Sequence, residues 1–153
     1  MTVYPFAGVK GKGWSVSSLM GWRIHPITKK RAFHNGSDLV APANSTIRAF
    51  HHGVVMSVGY NPTGFGNYII LRHKIDGKMY TSLHGHMRDK SKRQVGERVE
   101  AGDAIGIIGT TGMSTGIHLH WELQLGRVHV WSAFGLGYVE PVAFAEKLMA
   151  KEK

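Results

Sequence analysis

The chain of 153 residues contains no cysteine, which excludes disulfides and thiolate metal ligands while leaving the compartment open. It holds no apolar run near the ~20 residues that a membrane-spanning helix needs. Met1 to Lys12 lacks the apolar core and small-residue cleavage site of a secretory signal, so none is expected. Proline is scarce, at 5 against 20 glycines, and the glycines recur at short intervals, as in many turns joining short strands. Acidic residues are few: 10 Asp and Glu face 19 Lys and Arg, a formal charge of +9. That excess suits a polyanionic partner (nucleic acid, anionic lipid or an acidic wall) or a generally solvated surface. The small basic clusters Lys29-Lys30-Arg31 and Lys90-Ser91-Lys92-Arg93 lack the interleaved aromatics of a single-strand binder. Charge therefore bounds where the protein goes, and says little about what it does there.

The length suits one domain able to bury roughly two-thirds of its unfolded surface. The first twenty residues, rich in Gly, Ser and Lys and including Trp14, read as a loose lead-in (1–20) to a domain over 21–153. From Thr46 the pattern is strand after strand: Thr46 to Phe50, Val54 to Val58, Tyr68 to Ile75 and Lys78 to Leu83 are β-branched or aromatic runs. Asp76-Gly77 between the last two is a two-residue type I′ hairpin signal. Ala104 to Ile108, His118 to Leu125 and Val128 to Trp131 complete the strands. In the tail, Pro141 suits a first helical position, and Val142, Phe144, Ala145 and Leu148 form an apolar stripe. The expected fold is mainly β, antiparallel, with one short C-terminal helix.

Among ten histidines, two tight pairs stand out: His84-Gly85-His86 and His118-Leu119-His120. Alternate residues of a strand share a face, so each pair is expected to project two imidazoles side by side. His34 and Asp38, four apart, are likewise expected on one face of an extended segment. Imidazole plus one carboxylate, without thiolate, is the ligand chemistry of a hydrolytic zinc site, where three protein ligands leave a fourth position for water. Taken singly, a histidine is more often a surface or hydrogen-bonded residue, and His51, His52, His73 and His129 are read that way.

These residues lie in motifs that resemble a known family. Gly112 to Glu122 (Gly-Met-Ser-Thr-Gly-Ile-His-Leu-His-Trp-Glu) is similar to the signature of lysostaphin-type (LytM-like) zinc endopeptidases, which cut peptidoglycan peptides. Gly21-Trp22-Arg23-Ile24-His25-Pro26 resembles the family's opening motif, and His34 to Asp38, followed by Ala41-Pro42, its His-x-x-x-Asp metal motif. Ser82 to Met87 resembles the central histidine motif, and Val95 to Asp103 with Ile105-Gly106 the turn before the last one. The resemblance runs in order from about Gly21 to Leu125. It implies one zinc per chain on His34, Asp38 and His120, catalytic roles for His86 and His118, and a substrate groove over an antiparallel sheet. Two positions depart from the pattern: Ile117 replaces a frequent proline, and His84 stands where an aromatic is usual. His84 is expected to hydrogen-bond, hold a second metal or fill space. Glu122 shares a strand face with His118 and His120 and is a candidate for a hydrogen bond to a ligand. Arg23, Ser114 and Thr115 are further candidates for contact with the site or substrate. Gly112 and Gly116 suggest a turn that admits a substrate backbone, or a plain hairpin loop. Trp14, Trp22 and Trp131 are candidates for the groove wall, with core packing expected for at least two of them.

The function expected from this resemblance is a monomeric zinc endopeptidase acting on bacterial peptidoglycan, of the phage endolysin or virion-associated type. It would be made in a host cytoplasm without a signal peptide, and act on the wall or travel in the virion. Its positive surface would meet anionic wall or outer-membrane lipid. Two rivals stand beside it: a non-catalytic family member that binds wall or activates an amidase, and a basic nucleic-acid-binding β domain with incidental histidines.

Overall fold

The computed structural model describes every residue from Met1 to Lys153. Twelve strands precede one helix: β1 (Ser15–Ser18), β2 (Gly21–Ile24), β3 (Arg31–His34), β4 (Ser37–Val40), β5 (Thr46–Arg48), β6 (Gly53–Asn61), β7 (Gly66–Ile75), β8 (Lys78–Met87), β9 (Arg98–Val99), β10 (Ala104–Ile107), β11 (Leu119–Leu125), β12 (Tyr138–Val139) and α1 (Pro141–Lys151). All pairings between these strands are antiparallel. The main sheet runs β1-β4-β11-β8-β7-β6-β9, with β12 added beside β11, while β2–β3 and β5–β10 form two separate ribbons. The β7–β8 hairpin turns at Asp76-Gly77 with φ of 50° and 78°, the left-handed pair that a type I′ turn demands.

Register decides what faces what. On β11, Trp121 pairs with His84 and Leu123 with Ser82, whereas His120 pairs with Gly85 and with Asp38 of β4. Opposed residues share a face, so Trp121, Leu123 and His84 turn into the core while His120 and Asp38 share the other side. Trp121 meets Phe50 edge-on at 5.4 Å between ring centres. The helix covers one side of this core with Val142, Ala145 and Leu148. Glu140 caps it, accepting from the backbone N–H of Val142 and Ala143, and Pro141 takes the first position, where no N–H is needed.

Three expectations change. The first twenty residues are not loose: Phe6 and Trp14 belong to the core, and Ser15–Ser18 is a strand against β4. Glu152 in turn accepts from the Thr2 backbone N–H at 2.7 Å and hydroxyl at 2.6 Å, fastening the two ends of the chain together. The run from Val128 to Trp131 is not a strand. Its β-branched residues suit one, but the Gln124 amide takes the place of a neighbouring strand, donating to the Val130 carbonyl (2.6 Å) and accepting from its N–H (2.7 Å). Of the tryptophans proposed for the groove wall, only Trp14 is in the core; Trp22 is 49% and Trp131 69% exposed.

Two histidines are buried among the hydrophobic residues. His73 donates from Nδ1 to the His52 carbonyl (2.8 Å) and accepts at Nε2 from the Ser82 hydroxyl (2.7 Å), whereas Nε2 of His84 has no partner. Burial lowers both, His73 to about 4 and His84 to about 3, so both are neutral in the folded protein. The unfolded chain takes up protons below about pH 6.5 and the folded one does not, so stability present above that pH drains away as pH falls. With the unfolded rings half protonated at pH 6.5 and about 1.4 kcal/mol per further unit and group, His73 and His84 together should cost metal-free protein about 3 kcal/mol between pH 6.5 and 5, measured by urea unfolding. His84→Leu should remove its own share, about half of what these two rings contribute; a pH-independent midpoint for the wild type would refute the account.

Candidate active site

His34 and Asp38 do not lie on one extended strand. His34 ends β3 in a separate ribbon, Asp38 sits in β4 of the main sheet, and the chain bends between them at Asn35-Gly36. Gly36 packs so closely on β11 that a Cβ there would collide with the Trp121 carbonyl and Glu122 side chain. The bend, rather than strand alternation, brings His34 over Asp38. His34 Nε2 lies 3.2 Å from Asp38 Oδ1 and 3.3 Å from His120 Nδ1, and the latter is 3.0 Å from Asp38 Oδ1. All three residues are buried.

The hydrogen bonds behind each ring show which nitrogens are free. Nδ1 of His34 faces the Leu19 carbonyl at 3.0 Å, and Nε2 of His120 faces Glu122 Oε2 at 2.7 Å. Carbonyl and carboxylate oxygens only accept, so these ring nitrogens carry the hydrogens and the opposite nitrogens point lone pairs at Asp38. Two lone pairs and a carboxylate oxygen thus converge with no donor among them, an arrangement that calls for a cation. Three donors held about 2.0–2.1 Å from one tetrahedral ion would lie roughly 3.3 Å apart, which the 3.0–3.3 Å separations fit. In the metal-free protein a proton answers the same demand. Burial alone would lower His120, but its bonds to Asp38 and Glu122 prevail and push it up to about 9. Burial alone would raise Asp38, yet hydrogen bonds from His120 and His34 hold it well below the usual carboxylate range. Its second oxygen lies 3.4 Å from Arg23 Nη1, which Ser18 also contacts at 3.1 Å.

The two histidines assigned to catalysis adjoin this cluster. Nδ1 of His118 faces the Gly116 carbonyl at 2.8 Å and its Nε2 lies 3.8 Å from Asp38 Oδ1. Nδ1 of His86 faces the Thr111 carbonyl at 2.7 Å, and the two rings are 4.7 Å apart. Each therefore keeps a lone pair on Nε2. Burial lowers His86 to about 4 despite its bond to Thr111. The pair His84-Gly85-His86 does not project two imidazoles side by side as alternation requires. His86 has φ of 61°, a left-handed turn of the backbone that sends it to the site while His84 stays in the core. His84 is packed in the core with its Nδ1 3.5 Å from the Ile69 carbonyl.

Glu122 bonds His120, as the shared face suggests. Its other oxygen receives Nε2 of His129 at 2.7 Å, a residue read from sequence as ordinary. Ser114 reaches His118 Nδ1 at 3.3 Å and Thr110 at 2.7 Å. Thr115 touches none of these groups but lines a cavity of about 270 Å³ beside Asp38 and His118. A second cavity of about 270 Å³ opens on the other side, walled by His34, Phe65, His86, His120 and Trp131. Together they make an open groove with the cluster at its middle. Gly112 holds one wall in place, since φ of 77° and contact with Gly64 and Gly66 leave no room for a side chain. The positioning carbonyls of Leu19, Thr111 and Gly116 leave no trace in side-chain chemistry and could not be read from sequence.

Residues 32–131 match the family model described as Peptidase family M23. The peptidoglycan DD-endopeptidase ShyC of Vibrio cholerae is 38% identical over 107 residues, 70% of this chain and 24% of that protein. The DD-carboxypeptidase/endopeptidase Mpg of Neisseria meningitidis is 36% identical over 110 residues, 72% of this chain and 24% of its own length. The chain thus spans about a quarter of these curated relatives. Among solved structures, the catalytic domain of the antimicrobial peptidase lysostaphin from Staphylococcus simulans superposes with a TM-score of 0.73 at 26% identity, covering 87% of this chain and 92% of that one. The catalytic domain of the prophage-encoded M23 protein EnpA from Enterococcus faecalis gives 0.67 at 29% identity, covering 90% and 95%.

The cluster should bind one divalent metal ion, and His120→Ala should abolish uptake. Below about pH 9 binding must displace the His120 proton, so affinity should rise roughly tenfold per pH unit towards that value and then level. Chelator competition from pH 6 upwards measures this; an affinity independent of pH would count against the assignment.

Proposed function

The chain belongs to peptidase family M23, and from that membership we propose that it is a zinc endopeptidase hydrolysing peptide bonds of bacterial peptidoglycan. The observation that carries this reading is the set of lone pairs and charge at the groove's centre. His34, Asp38 and His120 form a ligand set of imidazole and carboxylate, and His86 and His118 each offer a free Nε2 beside it. The nitrogen and oxygen donors suit zinc, and the fourth ligand position is left to water or substrate. When bound, zinc supplies Lewis acidity, making water at the site more acidic and polarising the scissile carbonyl.

The chain's own residues then divide the work. His118 Nε2, nearer to Asp38, takes the proton of the attacking water and returns it to the leaving amine. His86 stays neutral near pH 7 because burial disfavours its charged form, so its Nε2 accepts a hydrogen bond and orients that water. Arg23 engages the outer oxygen of Asp38 and leaves the inner one facing the histidines. The groove open on both sides of the cluster accommodates a chain that continues past the cut bond, as an endopeptidase requires.

The bond class we favour is the direct D,D cross-link, because ShyC and Mpg, named for DD-endopeptidase activity, share 36–38% identity with this chain. The excess of positive charge suits an anionic wall or envelope. Likeness to a prophage-encoded domain supports a lytic enzyme of phage type acting on the host wall. A non-catalytic wall-binding role would need neither the ligands nor two free imidazoles, and all five residues stand in place.

His118→Ala and His86→Ala should each retain zinc while turnover falls, by about 10²–10⁴-fold for a lost proton-transfer group. Zinc loss in His118→Ala with zinc kept in His120→Ala would reverse the assignment. Mass analysis of muropeptides should show cross-linked dimers of direct-linked walls becoming monomers, and chelation should stop the reaction until zinc is returned. Cleavage confined to glycine-bridged walls would overturn the choice of bond while keeping the class of enzyme.

A further inference from the structure

We propose that His129 is a positioning residue for the metal centre: through Glu122 it fixes the ring of His120, and with it the direction of the ligating nitrogen. This rests on the zinc reading above and deepens it. Glu122 is a carboxylate with only 2% of its side chain exposed, so each of its oxygens needs a donor. Oε2 receives His120 Nε2 and Oε1 receives His129 Nε2, both at 2.7 Å. The carboxylate only accepts, so His129 carries its hydrogen on Nε2. Its Nδ1 then accepts from the hydroxyl of Thr81, at 2.8 Å on the neighbouring strand β8. The ring is 95% buried and lies edge-on to Tyr138, 5.6 Å away at 81°.

The hydrogens run in one consistent sense from Thr81 to His129 to Glu122, and Glu122 is closed from its other side by His120. If His129 is removed, Oε1 of Glu122 loses its imidazole donor and is left with the Tyr138 hydroxyl beside it, and rotating towards that hydroxyl carries the carboxylate away from His120 Nε2. His120 would then lose the contact that holds Nδ1 towards Asp38 and His34. Partners of this kind behind a ligating histidine typically contribute 10–100-fold in metal affinity. The same bonds also tie the loop after β11 to the sheet, so a purely structural role is the competing explanation. That role would lower the stability of the metal-free fold and leave the zinc affinity of folded protein unchanged.

The experiment measures the zinc dissociation constant of folded protein by competition with a fluorescent chelator, beside the thermal midpoint of each metal-free form. His129→Leu should weaken zinc by about 10–100-fold. His129→Gln, whose amide can donate to Glu122 and accept from Thr81, should restore most of that affinity. Thr81→Val keeps the imidazole but removes the hydroxyl that fixes it, and should weaken zinc by less than the leucine variant. Wild-type affinity in His129→Leu, with only the midpoint lowered, would overturn the proposal. Should that variant not fold, wild-type affinity in Thr81→Val would overturn it instead. A wild-type protein that takes up no zinc would remove the function proposed above, whereas zinc-binding wild type with unaltered variants removes this inference alone.

Discussion

Every imidazole of the site has an oxygen behind it, and the site depends on that. Leu19, Thr111 and Gly116 present backbone carbonyls, and Glu122 a carboxylate, to one nitrogen each of His34, His86, His118 and His120. A neutral imidazole held in this way has one possible tautomer. The remaining four lone pairs meet around Asp38, where two would be ligands and two would handle protons. With a metal in place the four rings would share one neutral form, and a ligand would differ from a base by its position alone. The demand this creates is electrostatic. Where no metal is present, the cluster draws in a proton, as the raised affinity of His120 shows.

The fold supplies the oxygens from parts of the chain that share little else. Leu19 follows the first strand, Thr111 and Gly116 lie in the loop before β11, and Glu122 sits within β11 itself. This gives the amino-terminal segment a purpose beyond packing. Phe6 and Trp14 anchor it in the core, β1 pairs with β4, and the turn after β1 delivers the carbonyl that orients His34. Arg23 in β2 then reaches Asp38. A separate two-stranded ribbon thereby contributes both His34 of the candidate cluster and the Arg23 cation that faces the outer oxygen of Asp38.

What was legible in sequence follows from locality. β-branched runs gave the central strands, Asp76-Gly77 the hairpin, and Pro141 with its apolar stripe the helix, because each depends on neighbours in the chain. His34, Asp38 and His120 were legible as a candidate ligand set through a resemblance in motif, and the structure gathers them within hydrogen-bonding distance. Alternation alone misplaced two features. It put His34 and Asp38 on one strand, where a bend at Gly36 in fact joins two, and it put His84 beside His86. His129 was invisible for a different reason: its partner Glu122 lies seven residues away across an irregular loop, so no periodicity connects them. Core packing was expected for at least two of Trp14, Trp22 and Trp131 because large aromatics usually go there, yet only Trp14 is buried and the other two stand exposed.

The left-handed backbone at His86 has a consequence for what the domain can become. A residue with a Cβ gives up roughly 1–2 kcal/mol in that conformation, and here the loss is accepted at the one place where strand geometry would otherwise bury the imidazole in the core. Substitution towards glycine would ease the backbone, whereas a β-branched residue would be strained further in that conformation. The first change relieves the fold and empties the position proposed for the reacting water. At residue 86 selection for a sturdier protein and selection for a working one therefore pull in opposite directions. Gains in thermal tolerance must be found elsewhere, in the exposed loops and surface strands where no imidazole has to be held against its own backbone.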